Sequence, residues 1–288
     1  MFYLTHVPDS PLSEFIDYLW LVADGQSSRK ERILPGGTVE LVVNLSEDEI
    51  RIHHPARLEE YKRFSGAAIS GTYTGPFVCD GAQHKSMLGV HFKPGGAFPF
   101  LGVLASELAG GHANLVDLWG PSAIQLRERL CCATAARELF RIAEGFLANR
   151  LRRGVIRHSA VTTALGLFGP AGTGMSVREV AAHLELSQRH FIQLFTSQVG
   201  LSPKLFCRLL RFQRAWTLAQ QSGSVRRGHV QPERAICEVD WAQLAVECGY
   251  FDQSHLIRDF QQFSSSTPTE CRQSRSVDLL RNHLLLAA

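Results

Sequence analysis

The strongest constraint on the fold is a repeat in the C-terminal half of the chain. Residues 180–195 and 244–260 share a layout: an apolar residue followed by Ala, a short turn, a polar cluster with Gln and His, and an aromatic end. One constant offset relates the polar and aromatic positions of the two copies, and the second copy has one extra residue in its turn. Apolar residues three and four apart favour helices, so the repeat predicts two copies of one small helical unit.

Each copy is typical of two short helices around a tight turn. Ser176 begins a capping box ahead of the first helix, and Ser187 is positioned to cap the second. Pro203 is a favourable first residue for a long helix that follows the first copy. We therefore predict two helix-turn-helix units, at about 176–200 and 240–265, joined by that long helix.

The second helix of each unit is predicted to bury its aromatic or leucine positions and to expose a polar face. Gln pairs well with adenine, and Arg pairs with guanine or phosphate. Two such helices about one DNA turn apart, ~34 Å, would enter successive major grooves. The predicted DNA-binding residues are Ser187, Gln188, Arg189, Ile192 and Gln193 in the first unit and Gln253, Ser254, His255, Ile257 and Arg258 in the second.

The two copies resemble the AraC/XylS family of transcription regulators. The run DQSHLIRDF at 252–260, with Gly249-Tyr250 before it and Thr267-Pro268 after it, is similar to the signature of that family. The first copy is similar to the family's first unit, and the resemblance covers roughly residues 175–272. It implies an all-helical module that binds DNA to switch transcription.

Three features depart from the family pattern. Ser265 stands where the family usually has Gly, and Cys271 where it has Tyr or Phe. The join between the units, residues 222–239, is longer than usual and contains several arginines. We expect a looser end to the second unit and a surface loop in the join.

The chain ahead of this module predicts a separate domain. Strands are indicated at 39–45 and 87–92, helical periodicity begins near 121, and a Gly-rich run at 169–174 is typical of a linker. The fold class predicted is α+β: residues 1–168 β-rich to about 110 and then helical, 169–174 a linker, and 175–288 all-α.

The runs LPGG at 34–37 and HFKPGG at 91–96 resemble a poorly characterised domain found ahead of such modules. That resemblance implies a regulatory domain that senses a small molecule or forms a homodimer.

Two other functions are alternatives to DNA binding. Residues 169–176 resemble a phosphate-binding P-loop, with Met175 in place of its lysine, so an ATP-dependent enzyme is one alternative. A protein-interaction adaptor without DNA binding is the other, and salt-dependent retention on DNA would distinguish it. We expect no enzymatic activity, no cofactor and no metal site, since the histidines follow no known ligand spacing.

Composition agrees with a regulator that stays in the cytoplasm. The net charge of +3 arises entirely from residue 173 onward, where 13 Lys and Arg face 10 Asp and Glu. Seven scattered cysteines favour free thiols, and the N-terminus has no signal-peptide pattern. The predicted partner is double-stranded DNA on the nucleoid, with RNA polymerase contact, an effector and a homodimer left open and no membrane association.

Overall fold

The computed structural model of the chain describes residues 2–23, 30–151, 156–169, 174–221, 239–273 and 283–285. The strands are β1 (Phe2–His6), β2 (Ile16–Ala23), β3 (Lys30–Ile33), β4 (Glu40–Asn44), β5 (Glu49–His54), β6 (Arg57–Ser65), β7 (Ala67–Ser70), β8 (Phe77–Asp80), β9 (Ser86–Phe92), β10 (His112–Asn114) and β11 (His283–Leu285). The helices are α1 (Phe98–Leu101), α2 (Leu115–Trp119), α3 (Pro121–Cys132), α4 (Ala136–Leu151), α5 (Ser159–Phe168), α6 (Val177–His183), α7 (Gln188–Val199), α8 (Pro203–Gln221), α9 (Trp241–Glu247), α10 (Gln253–Ser264) and α11 (Pro268–Gln273).

The strands form two antiparallel sheets. The first has the order β1-β2-β9-β4-β7-β10, and the second has the order β11-β3-β8-β5-β6. Strand β4 pairs on both sides, with Leu41 opposite Val90 on β9 and opposite Ile69 on β7. Along β4, buried Leu41 and Val43 alternate with half-buried Glu40 and Val42, whereas β9 is buried without a break from Met87 to Val90. Continuous burial is expected for a strand that is covered on both faces.

Both faces of the first sheet are covered. One face packs its aliphatic residues against α1 to α4, with Phe100 and Trp119 in the shared core. The other face carries Trp20, which packs on Val22 and Met87. Gly89 lies directly under the Trp20 ring, since a Cβ there would come within 2.0 Å of it. The absence of a side chain at Gly89 is therefore what admits the indole.

A second core belongs to the helices that follow. It contains the inward residues of α6 to α10, and it also takes in Val161 and Ala164 of α5 and Leu34 from the segment after β3. Helix α5 thus packs with the C-terminal helices rather than on the sheets. The proposed boundaries at 1–168, 169–174 and 175–288 stay a prediction, and residues 170–173 of the linker lie outside the described residues.

The predicted fold class is confirmed: a β-rich N-terminal region with trailing helices precedes a helical C-terminal region. One element was not predicted, because the three residues of β11, near the C-terminus, pair with β3 of the second sheet. Across the ranges that the structure describes, no helix has the length and apolar character needed to cross a membrane.

Candidate nucleic-acid interface

The first helix-turn-helix is built by local capping. The Ser176 hydroxyl accepts from the Glu179 amide at 3.3 Å, and the Glu179 carboxylate accepts from the Ser176 amide at 2.7 Å, which completes the capping box. These hydrogen bonds lower the pKa of Glu179. The Ser187 hydroxyl then accepts from the His190 amide at 3.2 Å and begins α7. Ser187 is exposed, but its hydroxyl already accepts a hydrogen bond within its own helix.

The same turn separates the two helices of each unit. Glu185 has φ 56° and Gly249 has φ 77°, so both adopt the left-handed conformation at equivalent positions. In each unit the next amide, of Leu186 or Tyr250, donates back to the alanine carbonyl of the preceding helix at 3.0 or 2.9 Å. This is the Schellman ending of a helix. The repeat in the sequence is therefore a repeat in backbone geometry.

The exposed face of α7 holds the predicted first-unit residues. Gln188, Arg189, Ile192 and Gln193 together line one open concavity, with Ile192 half-buried and the other three exposed. Phe191 and Phe195 on the opposite side are fully buried and their rings lie 5.8 Å apart. The buried pair fixes the rotation of α7, so the polar residues point outward.

Helix α10 presents the corresponding face of the second unit. Gln253, Ser254 and Arg258 are exposed, whereas His255 and Ile257 are half-buried. The His255 ring packs edge-on against the Tyr250 ring, with the ring centres 5.4 Å apart. Part of the imidazole surface is therefore in contact with the turn. Asp252 caps the helix by accepting from the His255 amide at 2.7 Å.

The extra residue of the second unit is Phe251. The Schellman turn ends at Tyr250 and the cap begins at Asp252, which leaves Phe251 as the inserted position, and it is 90% exposed. A single exposed aromatic is not unusual, but this one adjoins the N-terminus of α10. The inserted residue is visible in the sequence, but Phe251 is not among the predicted DNA-binding residues.

A buried ion pair ties α10 to the connecting helix α8. Asp259 is fully buried, and its Oδ1 accepts from Arg208 Nε at 3.2 Å and from Nη2 at 2.5 Å. Arg208 Nη2 also donates to Gln262 at 2.7 Å. These contacts set the position of the second unit on α8.

The other α8 arginine at this junction is also structural. Arg211 Nη1 donates to the Gly249 carbonyl at 3.2 Å, and its guanidinium lies 5.0 Å from the centre of the Tyr250 ring. Burial, and after it the charge of Asp259, raises the pKa of Tyr250. Arg211 therefore stabilises the turn of the second unit from α8. It does not lie beside the exposed polar residues of α10.

The C-terminal ends of both outward-facing helices contact the N-terminal domain. At the end of α7, a Cβ on Gly200 would come within 2.4 Å of Thr72 Oγ1, which shows how closely the segments approach. At the end of α10, Arg32 Nη1 donates to Ser266 Oγ at 2.9 Å and to the Ser264 carbonyl at 3.3 Å. The N-terminal ends of α7 and α10, where the polar residues lie, stay exposed.

Ser265 and Cys271, which depart from the family pattern, both have defined places in the structure. Ser265 has φ 56° and ends α10 in the left-handed conformation that Gly200, with φ 88°, adopts at the end of α7. Cys271 is fully buried in the second core. The long join, apart from Val239, lies outside the described residues, as do residues 170–173 of the P-loop-like run.

Comparisons with known families match two parts of the chain. Residues 170–208 match the model for bacterial regulatory helix-turn-helix proteins of the AraC family, and residues 4–114 match a domain of unknown function, DUF6597. The AraC resemblance is thereby confirmed for the first helix-turn-helix unit, and that of the second unit stays a prediction. The matched N-terminal domain is a poorly characterised one, as expected. No curated protein matches the sequence.

Solved structures of ToxT from Vibrio cholerae align with the chain at low similarity. An apo ToxT variant from strain SCE256 is 10% identical, with 88% of this chain and 96% of that chain covered and a TM-score of 0.44. ToxT in a P21 crystal form is 9% identical, with 93% and 97% covered and a TM-score of 0.41. The assignment of an AraC-family helix-turn-helix rests on the family model and not on the alignments with ToxT.

Proposed function

We propose that this chain, a DNA-binding transcription regulator with an AraC-family helix-turn-helix, reads two successive major grooves with α7 and α10. The observation that carries the proposal is the matched construction of the two units. Each has the same Schellman turn, and a side chain caps the second helix at the same position in each. Gln188 and Ile192 are equivalent to Gln253 and Ile257, and each helix also exposes one arginine, Arg189 or Arg258, at positions that are not equivalent. Two readers built alike and joined by one helix suit two neighbouring groove segments.

The exposed side chains suit base recognition. Gln188 and Gln253 can bond adenine through two hydrogen bonds, and the arginines can bond guanine through O6 and N7. Ile192 and Ile257 occupy equivalent half-buried positions beside them, where they can contact thymine methyl groups. Ser187, Gln193, Ser254 and His255 complete the proposed contact surface, and the exposed amides of the helix N-termini suit phosphate oxygens.

Phe251 is an addition to this surface. Its exposed ring adjoins the first turn of α10, where it can pack on a thymine methyl or a sugar without displacing the polar residues. The first unit has no equivalent residue, because its turn is one residue shorter. We therefore propose that the second unit gains apolar contact beside its DNA-facing residues.

We further propose that the N-terminal domain modulates DNA binding. It contacts the C-terminal ends of both reading helices, through Thr72 at α7 and Arg32 at α10. Gln213 of α8 also donates to the Pro35 carbonyl at 3.2 Å, which anchors the connecting helix to the segment after β3. A shift in this segment would change the relative placement of the two units. RNA polymerase contact, a small-molecule effector and a homodimer stay predictions.

Selection of binding sites from random duplex DNA with the purified full chain tests the proposal. Arg189→Ala should lose base preference at one position in one half-site, and Arg258→Ala at one position in the other, each costing about 1–3 kcal/mol. The control is Arg57→Ala, which removes an exposed arginine at the start of β6 and should leave the profile unchanged. If both reading variants select the wild-type site with wild-type affinity, the assigned face is wrong.

A further inference from the structure

Three side chains with different metal-binding atoms converge between the two sheets of the N-terminal domain. Glu31 on β3 and Cys79 on β8 are register partners, directly opposite each other in the second sheet. His84 lies five residues after Cys79, in the 3₁₀ helix at Gly81–Lys85 that follows β8. One ligand atom from each residue lies within 4.8 Å of the other two.

The cluster is enclosed and held by regular structure. Glu31 and His84 are 2% and 6% exposed, and Cys79 is half-buried. The 3₁₀ helix that carries His84 contacts both β2 and β9 of the opposite sheet. Asp80 caps this helix by accepting from the Ala82 amide at 3.2 Å, which fixes its direction from the end of β8. The three positions are therefore set by strand pairing and a capped turn.

The donor set is that of a transition-metal site. Thiolate sulfur, imidazole nitrogen and carboxylate oxygen are the ligands of Zn²⁺, with bonds of about 2.0–2.3 Å, so neighbouring ligands in a tetrahedron lie about 3.5 Å apart. His84 Nδ1 and Glu31 Oε1 are already 3.4 Å apart. Mg²⁺ and Ca²⁺ prefer sites made of oxygen, and a thiolate selects against them.

We propose that Glu31, Cys79 and His84 bind one divalent transition-metal ion of the Zn²⁺ type. Cys79 gives its thiol proton to solvent on binding, so the ion is held by thiolate, imidazole and carboxylate. Three protein ligands leave a fourth position for water or for a donor atom of a small molecule, the arrangement of open zinc sites. No spacing pattern indicates this site, because Glu31 is distant in the chain and only strand register brings it to Cys79.

The proposed metal site is connected to the DNA-reading helix α10 through one strand, β3. Successive side chains of a strand point to opposite faces, so Glu31 lies on the inner face of β3 while Arg32 reaches Ser264 and Ser266 at the end of α10. Moving Glu31 onto an ion would shift the strand that carries Arg32. This consequence, that the metal changes DNA affinity, rests on the proposed function, whereas metal binding itself does not.

Titration of the reduced full chain with Co²⁺ and then Zn²⁺ tests the site. We expect one equivalent of Co²⁺ to give a near-ultraviolet thiolate-to-metal band and the visible bands of tetrahedral cobalt, both removed by Zn²⁺. Cys79→Ser should abolish the thiolate band, and His84→Gln should weaken binding by at least about tenfold. Replacing the exposed Cys131 and Cys132 together by Ser is the matched control and should change neither.

A second measurement needs no variant. Zn²⁺ should slow alkylation of Cys79 in the wild-type chain, measured on its peptide by mass spectrometry, while Cys132 should react at an unchanged rate. A thiolate band that survives Cys79→Ser but disappears in the Cys131 and Cys132 control would overturn the proposal, as would Cys79 alkylation that Zn²⁺ leaves unchanged. A chain that binds the ion but no DNA would keep this site and refute the proposed function instead.

Discussion

Breaking the Arg208–Asp259 pair should destabilise the C-terminal helices more than loss of an exposed ion pair would. Asp259 is fully buried and accepts two hydrogen bonds from one guanidinium, whose side chain is 28% exposed. Removing one partner of a buried pair costs about 3–5 kcal/mol, since the remaining charge is left without compensation. The partial exposure of Arg208 places Arg208→Ala at the lower end, about 3 kcal/mol.

The assay is urea unfolding of the full chain, followed by far-ultraviolet circular dichroism and by tryptophan fluorescence. A double-mutant cycle of Arg208→Met and Asp259→Leu should give a coupling energy of about 1.5–3 kcal/mol, because the joint replacement removes both charges. The control is Arg57→Ala, which breaks an exposed pair with Glu60 at 2.8 Å and should cost less than about 0.5 kcal/mol. An Arg208→Ala cost as small as that of the control would refute the reasoning.

Three further substitutions, each at one residue, have expected effects on stability, on its pH dependence or on DNA binding. Ser265→Gly should raise the free energy of unfolding by about 0.5–1 kcal/mol, since glycine adopts the left-handed conformation of Ser265 without strain, and a loss of stability in urea unfolding would contradict this. Burial lowers the pKa of His112 to about 4, so the unfolded chain binds more protons between about pH 6.5 and pH 4 and stability should fall as the pH drops through that window. His112→Phe should flatten this part of the pH profile of unfolding, and an unchanged profile would exclude His112 as its cause. Phe251→Ala should weaken DNA binding by about 1 kcal/mol in a titration without changing the free energy of unfolding, because the side chain is 90% exposed, and equal affinity would remove Phe251 from the interface.

The local signals of the DNA-binding units were readable from the sequence. The capping box at Ser176 forms as expected, and Ser187 caps α7 as expected. Both features depend on hydrogen bonds within a few residues, which composition and spacing specify directly. The outward face of α7 follows from the burial of Phe191 and Phe195 four residues apart.

Contacts between distant segments were not readable. Arg208 and Asp259 are 51 residues apart, and nothing in either helix indicates which arginine of α8 faces the buried carboxylate. The packing of α5 in the second core also depends on which surface its apolar residues meet, and periodicity gives only the face and not the partner. The pairing of Glu31 with Cys79 depends on strand register, which a single sequence does not specify.

The central claim is that two equivalent helices read two neighbouring major-groove segments. Methylation-interference mapping of the selected DNA site with the wild-type chain and the two reading variants tests it most directly. Reading of two grooves predicts two patches of major-groove interference about one helical turn, ~34 Å, apart on one side of the duplex. Arg189→Ala should weaken one patch and Arg258→Ala the other. A single patch that Arg258→Ala leaves unchanged would contradict the account.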